Sequence, residues 1–337
     1  MATAREGIAS RVPAGLLARV AEDADLERMV DFDNRFADPV QWTSPSVARE
    51  FERSNPQPNR LALVVEREGE IVAQGQTSDG GLWAAPDKSW RLGLRVAPEW
   101  RRNGVGRVLA KRLEEHARDK GAARLVVAIR GSEPEGLAFA SALGYAEFHR
   151  RIDSYIDVPS FDASSFDDPD DLAGRVGVRL ATYADLLREH SRDLDEFQRT
   201  LLAAFWEWAR DVPSPTPMPA RPPSLEQARR MFLEGPGIDP GTTIMAMRGD
   251  TPVGVTATMV KENGVAYTNF TGVARAERRK GLALAMKLRA LRALGKRAVR
   301  LFGTTNDEAN AAMRGVNARL GYVPQPPTIM VEKRFTS

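Results

Sequence analysis

One six-residue pattern occurs twice in the chain, and each copy stands between a strand-like run and an amphipathic helix-like run. The copies are Arg101-Arg102-Asn103-Gly104-Val105-Gly106 and Arg278-Arg279-Lys280-Gly281-Leu282-Ala283. A glycine turn that leads from a strand into a helix directs backbone N–H groups outward. The helix dipole adds roughly half a positive charge at the same point. The pattern therefore predicts two cradles for a pyrophosphate group.

The spacing of the two copies indicates a duplicated domain. Matching residues lie 177 positions apart in four pairs: Val96 and Val273, Arg101 and Arg278, Gly104 and Gly281, Tyr145 and Tyr322. Between the valine that ends the strand and the Gly-Tyr pair, the two copies align without an insertion or deletion. Self-similarity at one fixed offset is the signature of an internal repeat.

These motifs resemble those of the GNAT N-acetyltransferases, whose cosubstrate is acetyl-CoA. The resemblance is strongest over Trp90–Tyr145 and Tyr267–Tyr322. It implies two tandem GNAT folds of the α/β class (α+β type), each a mixed, mostly antiparallel sheet flanked by helices. In that fold the fourth and fifth strands splay apart, and the acyl thioester lies in the gap.

A dinucleotide-binding fold is the main alternative for a glycine turn of this kind. That fold requires Gly-x-Gly-x-x-Gly and an acidic residue about 20 positions later. Neither copy has the third glycine in place. The dinucleotide alternative is therefore disfavoured.

Composition limits the remaining classes of function. The chain has 337 residues, which suggests two domains, and 48 basic against 45 acidic residues give a net charge of +3. We therefore expect no nucleic-acid partner. There are no cysteines, and the three histidines are scattered, so we expect no metal site. Without a long apolar run we expect no membrane partner, a cytoplasmic location, and a monomer or homodimer.

The domain boundaries follow from the repeat. We expect a first domain over 1–158, a linker over 159–173 that is rich in Asp and Ser, and a second domain over 174–337. The second domain contains a stiff proline-rich stretch over 211–223. After it, Ser224 and Gln227 predict a capping box that starts a helix.

The resemblance assigns roles to residues of both copies. It implies that the turns bind the pyrophosphate and that the strands ending in Val96 and Val273 pair with the pantetheine arm. The residues expected to bind the cosubstrate are Val96, Arg101, Arg102, Asn103, Gly104, Val105, Gly106, Val273, Arg278, Arg279, Lys280, Gly281, Leu282, Ala283 and Asn310. For Arg102 and Arg279, a solvated surface position is the equal alternative.

The acid and the base of the reaction are not evident. Many GNAT enzymes have an Asn that binds pantetheine and, seven positions later, a Tyr that protonates the thiolate. Here those positions are Asn310 and Asn317, and Glu133 and Ala140 in the first copy. Asn317 is therefore a candidate catalytic donor but not an acid, and helix capping is the alternative for both Asn residues. No general base is assigned; Glu133, Glu135, Glu262 and Glu332 are candidates without a distinguishing feature.

The acceptor region of the second copy is rich in aromatic residues. The resemblance places Trp206 and Trp208, with the proline-rich stretch as a wall, in the pocket for the acceptor. Core packing is the alternative, and it is favoured for Phe205 and at least one of the tryptophans.

The sequence thus predicts an acetyl-CoA-dependent N-acetyltransferase that transfers an acyl group to a small-molecule amine by direct attack. The second domain is favoured as the catalytic one because it has Asn310, Asn317 and the elaborated acceptor region. Two alternatives remain open: an acyl-CoA-binding protein without turnover, and a peptide or protein N-acetyltransferase.

Overall fold

A computed structural model describes residues 12–335 of the chain and divides them into two compact units. The first unit comprises described residues of 12–150, 215–220 and 328–335, and the second comprises 151–214 and 221–327. Positions 1–11 and 336–337 of the two expected domains lie outside the described residues.

The strands in chain order are β1 (Leu17–Val20), β2 (Leu61–Arg67), β3 (Glu70–Ser78), β4 (Ser89–Val96), β5 (Arg124–Arg130), β6 (Ala146–Asp157), β7 (Arg179–Thr182), β8 (Ile244–Arg248), β9 (Thr251–Val260), β10 (Val265–Val273), β11 (Leu301–Asp307), β12 (Val323–Pro324) and β13 (Thr328–Arg334).

The α-helices are α1 (Leu26–Asn34), α2 (Pro45–Ser54), α3 (Val105–Asp119), α4 (Pro134–Ala142), α5 (Pro169–Gly174), α6 (Tyr183–Glu189), α7 (Leu194–Ala209), α8 (Leu225–Ala228), α9 (Leu282–Leu294) and α10 (Ala311–Arg319). Short 3₁₀ turns cover Asp23–Asp25, Gly81–Trp83, Pro98–Trp100, Ala163–Ser165 and Arg275–Glu277, and a π-helical turn covers Arg229–Leu233.

The sheet of the first unit has the strand order β1-β2-β3-β4-β5-β13. All neighbours are antiparallel except β4 and β5, which are parallel. Apolar residues of α3, among them Leu109 and Leu113, pack against Leu63, Trp90 and Leu125 of the sheet. The expected mixed, mostly antiparallel sheet is confirmed here.

The sheet of the second unit has the order β6-β11-β10-β9-β8-β7, with the short β12 also paired to β6. Only β10 and β11 are parallel. Alternate residues of β8 face opposite layers: Ile244 packs in the apolar cluster of α9, and Met245 in the cluster of α7. Helices α9 and α7 therefore cover the two faces of this sheet, and the expected fold class is confirmed.

The last strand of each sheet comes from the other repeat, which differs from the contiguous boundaries 1–158 and 174–337. Residues 151–157 of β6 pair with β11 in the second unit, whereas β13 pairs with β5 in the first. These two segments are 177 positions apart and so are equivalent strands of the repeat. A period of 177 identifies equivalent strands, but strand pairing decides which sheet each one completes.

Two connecting segments also differ from expectation. Within the expected linker 159–173, Asp168 caps α5 and Ala173 is fully buried, so part of the segment is folded. Residues 215–220 of the proline-rich stretch belong to the first unit, where the Pro215 carbonyl accepts a 3.1 Å hydrogen bond from Arg124.

The local signals at the other helix ends agree with the structure. Ser224 and Gln227 form the predicted capping box at the start of α8. The residues between β7 and the proline-rich stretch form two helices, α6 and α7.

Candidate active site

The two Arg-x-x-Gly turns have the same backbone conformation. Each follows a strand and one 3₁₀ turn, and Gly104 and Gly281 precede the first residues of α3 and α9 with φ of 83° and 84°. A Cβ at either glycine would have no atom within 4 Å. The left-handed conformation, rather than lack of space, is therefore what favours glycine at both positions.

An arginine side chain closes each turn. Arg101 Nε donates to the Val96 carbonyl at 3.2 Å, and Arg278 Nε donates to the Val273 carbonyl at 3.0 Å. The guanidinium groups are thereby held at the end of β4 and β10, next to the helix N-termini. The second arginines, Arg102 and Arg279, are exposed and have φ of 66° and 62°.

The start of each helix leaves N–H groups available for an anion. The first helical hydrogen bond runs from Val108 N–H to the Gly104 carbonyl in α3, and from Ala285 N–H to the Gly281 carbonyl in α9. Amides before these points have no intrahelical acceptor. Val105 and Leu282 bury their side chains in the core, so only their backbones face the turn. Both turns therefore have the donors and the dipole that suit a phosphate.

The charges around the two turns differ. Asp211 accepts a 2.8 Å hydrogen bond from Arg275 Nε and another from Arg278. These two guanidinium groups hold the pKa of Asp211 well below its usual range. In the first copy, Arg101 instead pairs at 3.1 Å with Glu135, which is largely exposed. Lys280, at the position of Asn103, pairs with Glu277 at 3.0 Å.

A gap opens between the two parallel strands of each unit. The β4–β5 pairing ends at Arg91 and Val126, and the β10–β11 pairing ends at Thr268 and Thr304. Beyond these pairs, β4 continues to Val96 and β10 continues to Val273. Among residues 12–335, each of these continuations pairs with an antiparallel strand on one side only. Each gap therefore leads from the end of the parallel pairing toward an Arg-x-x-Gly turn.

The gap of the second unit has an additional irregularity. The β9–β10 register shifts between Thr268 and Phe270, so Asn269 is a β-bulge, whereas the β3–β4 register is continuous. A bulge leaves one residue outside the ladder and re-aims its backbone groups. It lies next to the last β10–β11 pair, at the apex of the gap.

The two asparagines of the second copy have structural partners. Asn310 caps α10, where its Oδ1 accepts from Met313 N–H at 3.2 Å. Asn317 is only 2 % exposed, and its Nδ2 donates to Asn306 Oδ1 at 2.6 Å. Burial against the sheet keeps Asn317 from the role of catalytic donor that was expected. For Asn310, the structure shows the helix cap that was the alternative interpretation.

The expected acceptor residues and bases are also placed differently. Trp206 and Trp208 are buried, and Trp208 packs in the apolar cluster of α7; core packing therefore accounts for Trp208. Glu332 lies on β13 in the first unit, where it pairs with the buried Arg124. Glu133 pairs with Arg130, and Glu262 is exposed on the turn before β10.

Sequence reasoning missed three polar residues at the second gap. Tyr267, Thr305 and Asp153 form a continuous hydrogen-bonded chain on β10, β11 and β6. Asp153 was counted with the first domain because it precedes the linker. Its repeat equivalent is Met330, and this exchange of a carboxylate for an apolar side chain is a signal that the sequence does contain.

Two negative observations apply to residues 12–335. No helix in that range has both the length and the apolar character to cross a bilayer. No group of three or more His, Asp or Glu side chains in the same range is arranged to hold a metal ion.

Comparison with protein families finds one matching model. Residues 26–145 match the model of the acetyltransferase (GNAT) family. No curated protein matches the sequence.

Comparison with solved structures finds similar folds over nearly the whole chain. A GCN5-related N-acetyltransferase from Sphaerobacter thermophilus has a TM-score of 0.70 at 20% identity, with 96% of each chain covered. A tandem GNAT protein from the clavulanic acid biosynthesis pathway has a TM-score of 0.69 at 20% identity, covering 96% of this chain and 99% of that one. A glucosamine N-acetyltransferase region of a fungal β-N-acetylglucosaminidase has a TM-score of 0.67 at 14% identity, covering 96% and 38%.

Proposed function

We propose that this acyltransferase, which has a GNAT-family acetyltransferase domain over residues 26–145 and the fold of tandem GNAT proteins, transfers an acetyl group from acetyl-CoA to a small-molecule amine. The observation that carries the proposal is the gap of the second unit. Its β10 edge and its Arg278–Ala283 turn lie along one strand and the helix that follows, and its polar apex begins on the same strand at Tyr267. We retain the cytoplasmic location as a prediction.

The two ends of acetyl-CoA match the two ends of this gap. The amides at the start of α9 and the Arg278 guanidinium suit the pyrophosphate. The edge of β10 that faces the gap suits the amide groups of the pantetheine arm. The thioester then lies near the Asn269 bulge, where backbone N–H groups can stabilise the negative charge that develops on the carbonyl oxygen.

The second unit is our choice for the catalytic site. Only its gap combines a β-bulge with a polar hydrogen-bonded chain, among the residues that the structure describes. The first unit has equivalent backbone turns, which support acetyl-CoA binding there as well, but the equivalent side chains at its gap are mostly apolar. A structural or regulatory role suits the first unit better than turnover.

Transfer proceeds by direct attack. The amine must lose a proton before its lone pair attacks the thioester carbonyl carbon. The tetrahedral intermediate then collapses, the C–S bond breaks, and the thiolate leaves. Because a thiolate is only a weak base, with a pKa near 8.5 for an ordinary thiol, a dedicated acid for the leaving group is not essential. This is consistent with the burial of Asn317.

The small-molecule acceptor is proposed by analogy. The name of one similar structure specifies glucosamine N-acetyltransferase activity, and we propose a small amine on that analogy. A peptide or protein N-acetyltransferase, and an acyl-CoA-binding protein without turnover, are the alternatives.

The test is thiol release from acetyl-CoA with an amine panel of glucosamine, spermidine, tyramine and a peptide with a free N-terminus. The proposal predicts amine-dependent thiol release with at least one small amine, and an acetylated product by mass spectrometry. Faster turnover of the peptide would favour the peptide N-acetyltransferase. Acetyl-CoA binding without release for any amine would favour the binding protein.

A further inference from the structure

Three side chains of the second unit form one hydrogen-bonded chain at the apex of the gap. The Tyr267 hydroxyl lies 2.6 Å from Thr305 Oγ1, and the Thr305 hydroxyl donates to Asp153 Oδ1. All three residues are partly exposed rather than sealed in the core. The chain therefore joins a carboxylate to a phenol at the surface of the sheet.

The direction of these hydrogen bonds is fixed by chemistry. A carboxylate can only accept, so Thr305 uses its one proton to donate to Asp153. Thr305 must then accept from Tyr267, whose proton is thereby committed as well. The Tyr267 oxygen can only accept from a further group. A group that approaches it must be a donor, such as an amine or an ammonium.

The position on the sheet is appropriate for the acceptor amine. Ala266 and Phe302 pack in the cluster under α9, so by strand alternation Tyr267 and Thr305 lie on the opposite face. The last β10–β11 pair is formed by Thr268, the residue after Tyr267, and Thr304, the residue before Thr305. The phenol is therefore adjacent to the point where the strands begin to diverge.

The first unit lacks this chain at the equivalent positions. In the first unit, Met330 pairs with Ala128, as Asp153 pairs with Thr305 in the second. Met330 lies 177 positions after Asp153, and Thr305 lies 177 positions after Ala128. Arg91 lies opposite Val126, which is the equivalent of Gly303, whereas the offset of 177 gives Trp90 as the equivalent of Tyr267; neither side chain has a hydroxyl group. The set Arg91, Ala128 and Met330 can form no hydroxyl–hydroxyl–carboxylate chain. The polar chain is thus a feature of the second unit, not a requirement of the fold.

We propose that Tyr267 is the catalytic residue that removes the proton of the acceptor ammonium, and that Thr305 and Asp153 are the positioning residues that carry the proton away. The proposal rests on the proposed function. An N–H bond of the ammonium breaks and its proton moves to Tyr267 Oη. The Tyr267 proton moves to Thr305 Oγ1, and the Thr305 proton moves to Asp153 Oδ1. The amine keeps the electron pair with which it attacks the thioester, and Asp153 later returns the proton to solvent.

The strand exchange explains how the carboxylate reaches this site. Asp153 lies on the segment of β6 that completes the sheet of the second unit. The second repeat alone would present its own last strand, with Met330 at this position. The polar chain therefore needs residues of both repeats.

The test compares Asp153→Asn, Thr305→Val and Tyr267→Phe with Thr305→Ser, which keeps the hydroxyl. We measure kcat/KM against pH with acetyl-CoA and glucosamine, or the fastest amine of the panel. Acetyl-CoA affinity by calorimetry reports that each variant is folded. Met330→Leu is the matched control at the equivalent position of the first unit.

We expect the three disruptive variants to lose about 100-fold in kcat/KM at neutral pH, with unchanged acetyl-CoA affinity. The loss should shrink at high pH, where the free amine is already deprotonated, and a merely structural defect would not give this pH dependence. Thr305→Ser and Met330→Leu should stay near wild type.

The outcomes separate the relay from the proposed function. An active wild type whose Asp153→Asn and Thr305→Val variants keep full activity at all pH values would overturn the relay and leave the acetyltransferase function intact. A wild type that binds acetyl-CoA but acetylates no amine would overturn both.

Discussion

Lys287 of α9 lies over the ring of Tyr322, with its Nζ 5.1 Å from the ring centroid. The lysine is fully buried, and its Nζ makes no hydrogen bond to any described residue. Burial lowers the pKa of Lys287 to about 7 and raises that of Tyr322. The first repeat has Ala110 at this position, and its Tyr145 instead donates to Glu114 at 3.0 Å.

Lys287→Met should stabilise the protein at pH 7. Between about pH 7 and the ordinary lysine pKa near 10.4, the unfolded chain binds more protons than the folded one, so wild-type stability rises with pH. The free energy of unfolding of the variant should exceed that of wild type by about 2–5 kcal/mol at pH 7. Urea denaturation at pH 7, 8.5 and 9.5 should show that difference shrinking. Lys296→Met, at an exposed lysine just after the same helix, should show no such trend. A variant that is less stable than wild type at every pH would contradict the account.

Asp211→Asn should tighten acetyl-CoA binding. Asp211 places a negative charge on Arg275 and Arg278, beside the turn that we propose to hold the pyrophosphate. Removing it should lower the dissociation constant by about threefold to tenfold at low salt, and less at 0.5 M salt where charges are screened.

The matched control for Asp211 is Glu135→Gln, which removes the carboxylate partner of Arg101 in the first unit. It should leave turnover unchanged if the second unit is the catalytic one. Calorimetry at two salt concentrations measures acetyl-CoA binding by both variants, and thiol release measures their turnover. Weaker binding by Asp211→Asn would mean that Asp211 instead holds Arg278 in its productive position.

Arg124→Met should destabilise the first unit. The Arg124 side chain is 9% exposed and pairs with Asp87 at 2.9 Å and with Glu332 of β13. Removing it leaves Asp87 without its cation and leaves Glu332 with only the exposed Arg334, at a cost of about 2–4 kcal/mol. Arg334→Met removes the exposed partner of the same Glu332 and should cost less than about 1 kcal/mol. Equal losses in chemical denaturation would show that burial of Arg124 is not what matters.

The repeat and the local fold were predictable because they depend on short-range patterns. The 177-residue offset identified both Arg-x-x-Gly turns, and the structure gives Gly104 and Gly281 nearly identical backbone angles. The capping box of Ser224 and Gln227 was equally local. Such features depend on a few adjacent residues, so a single sequence suffices to find them.

The site was less predictable because it depends on long-range pairing. The offset of 177 identifies β6 and β13 as equivalent strands but not the sheets that they join. Asp153 and Glu332 therefore lie in units other than those that the contiguous boundaries 1–158 and 174–337 give them. Trp206 and Asn317 have polar groups that suit a site, yet both are buried by packing that no local pattern reveals.

The central claim is that the second unit holds acetyl-CoA for reaction, and calorimetric titration of acetyl-CoA tests it most directly. Gly281→Asp and Gly104→Asp each place a carboxylate in one turn. Gly281→Asn and Gly104→Asn are the controls, because Asn has the same cost in the left-handed backbone conformation but no charge. The account predicts that Gly281→Asp loses a binding event that Gly281→Asn and Gly104→Asp both retain. A Gly281→Asp protein that titrates as wild type, while Gly104→Asp loses binding, would contradict it.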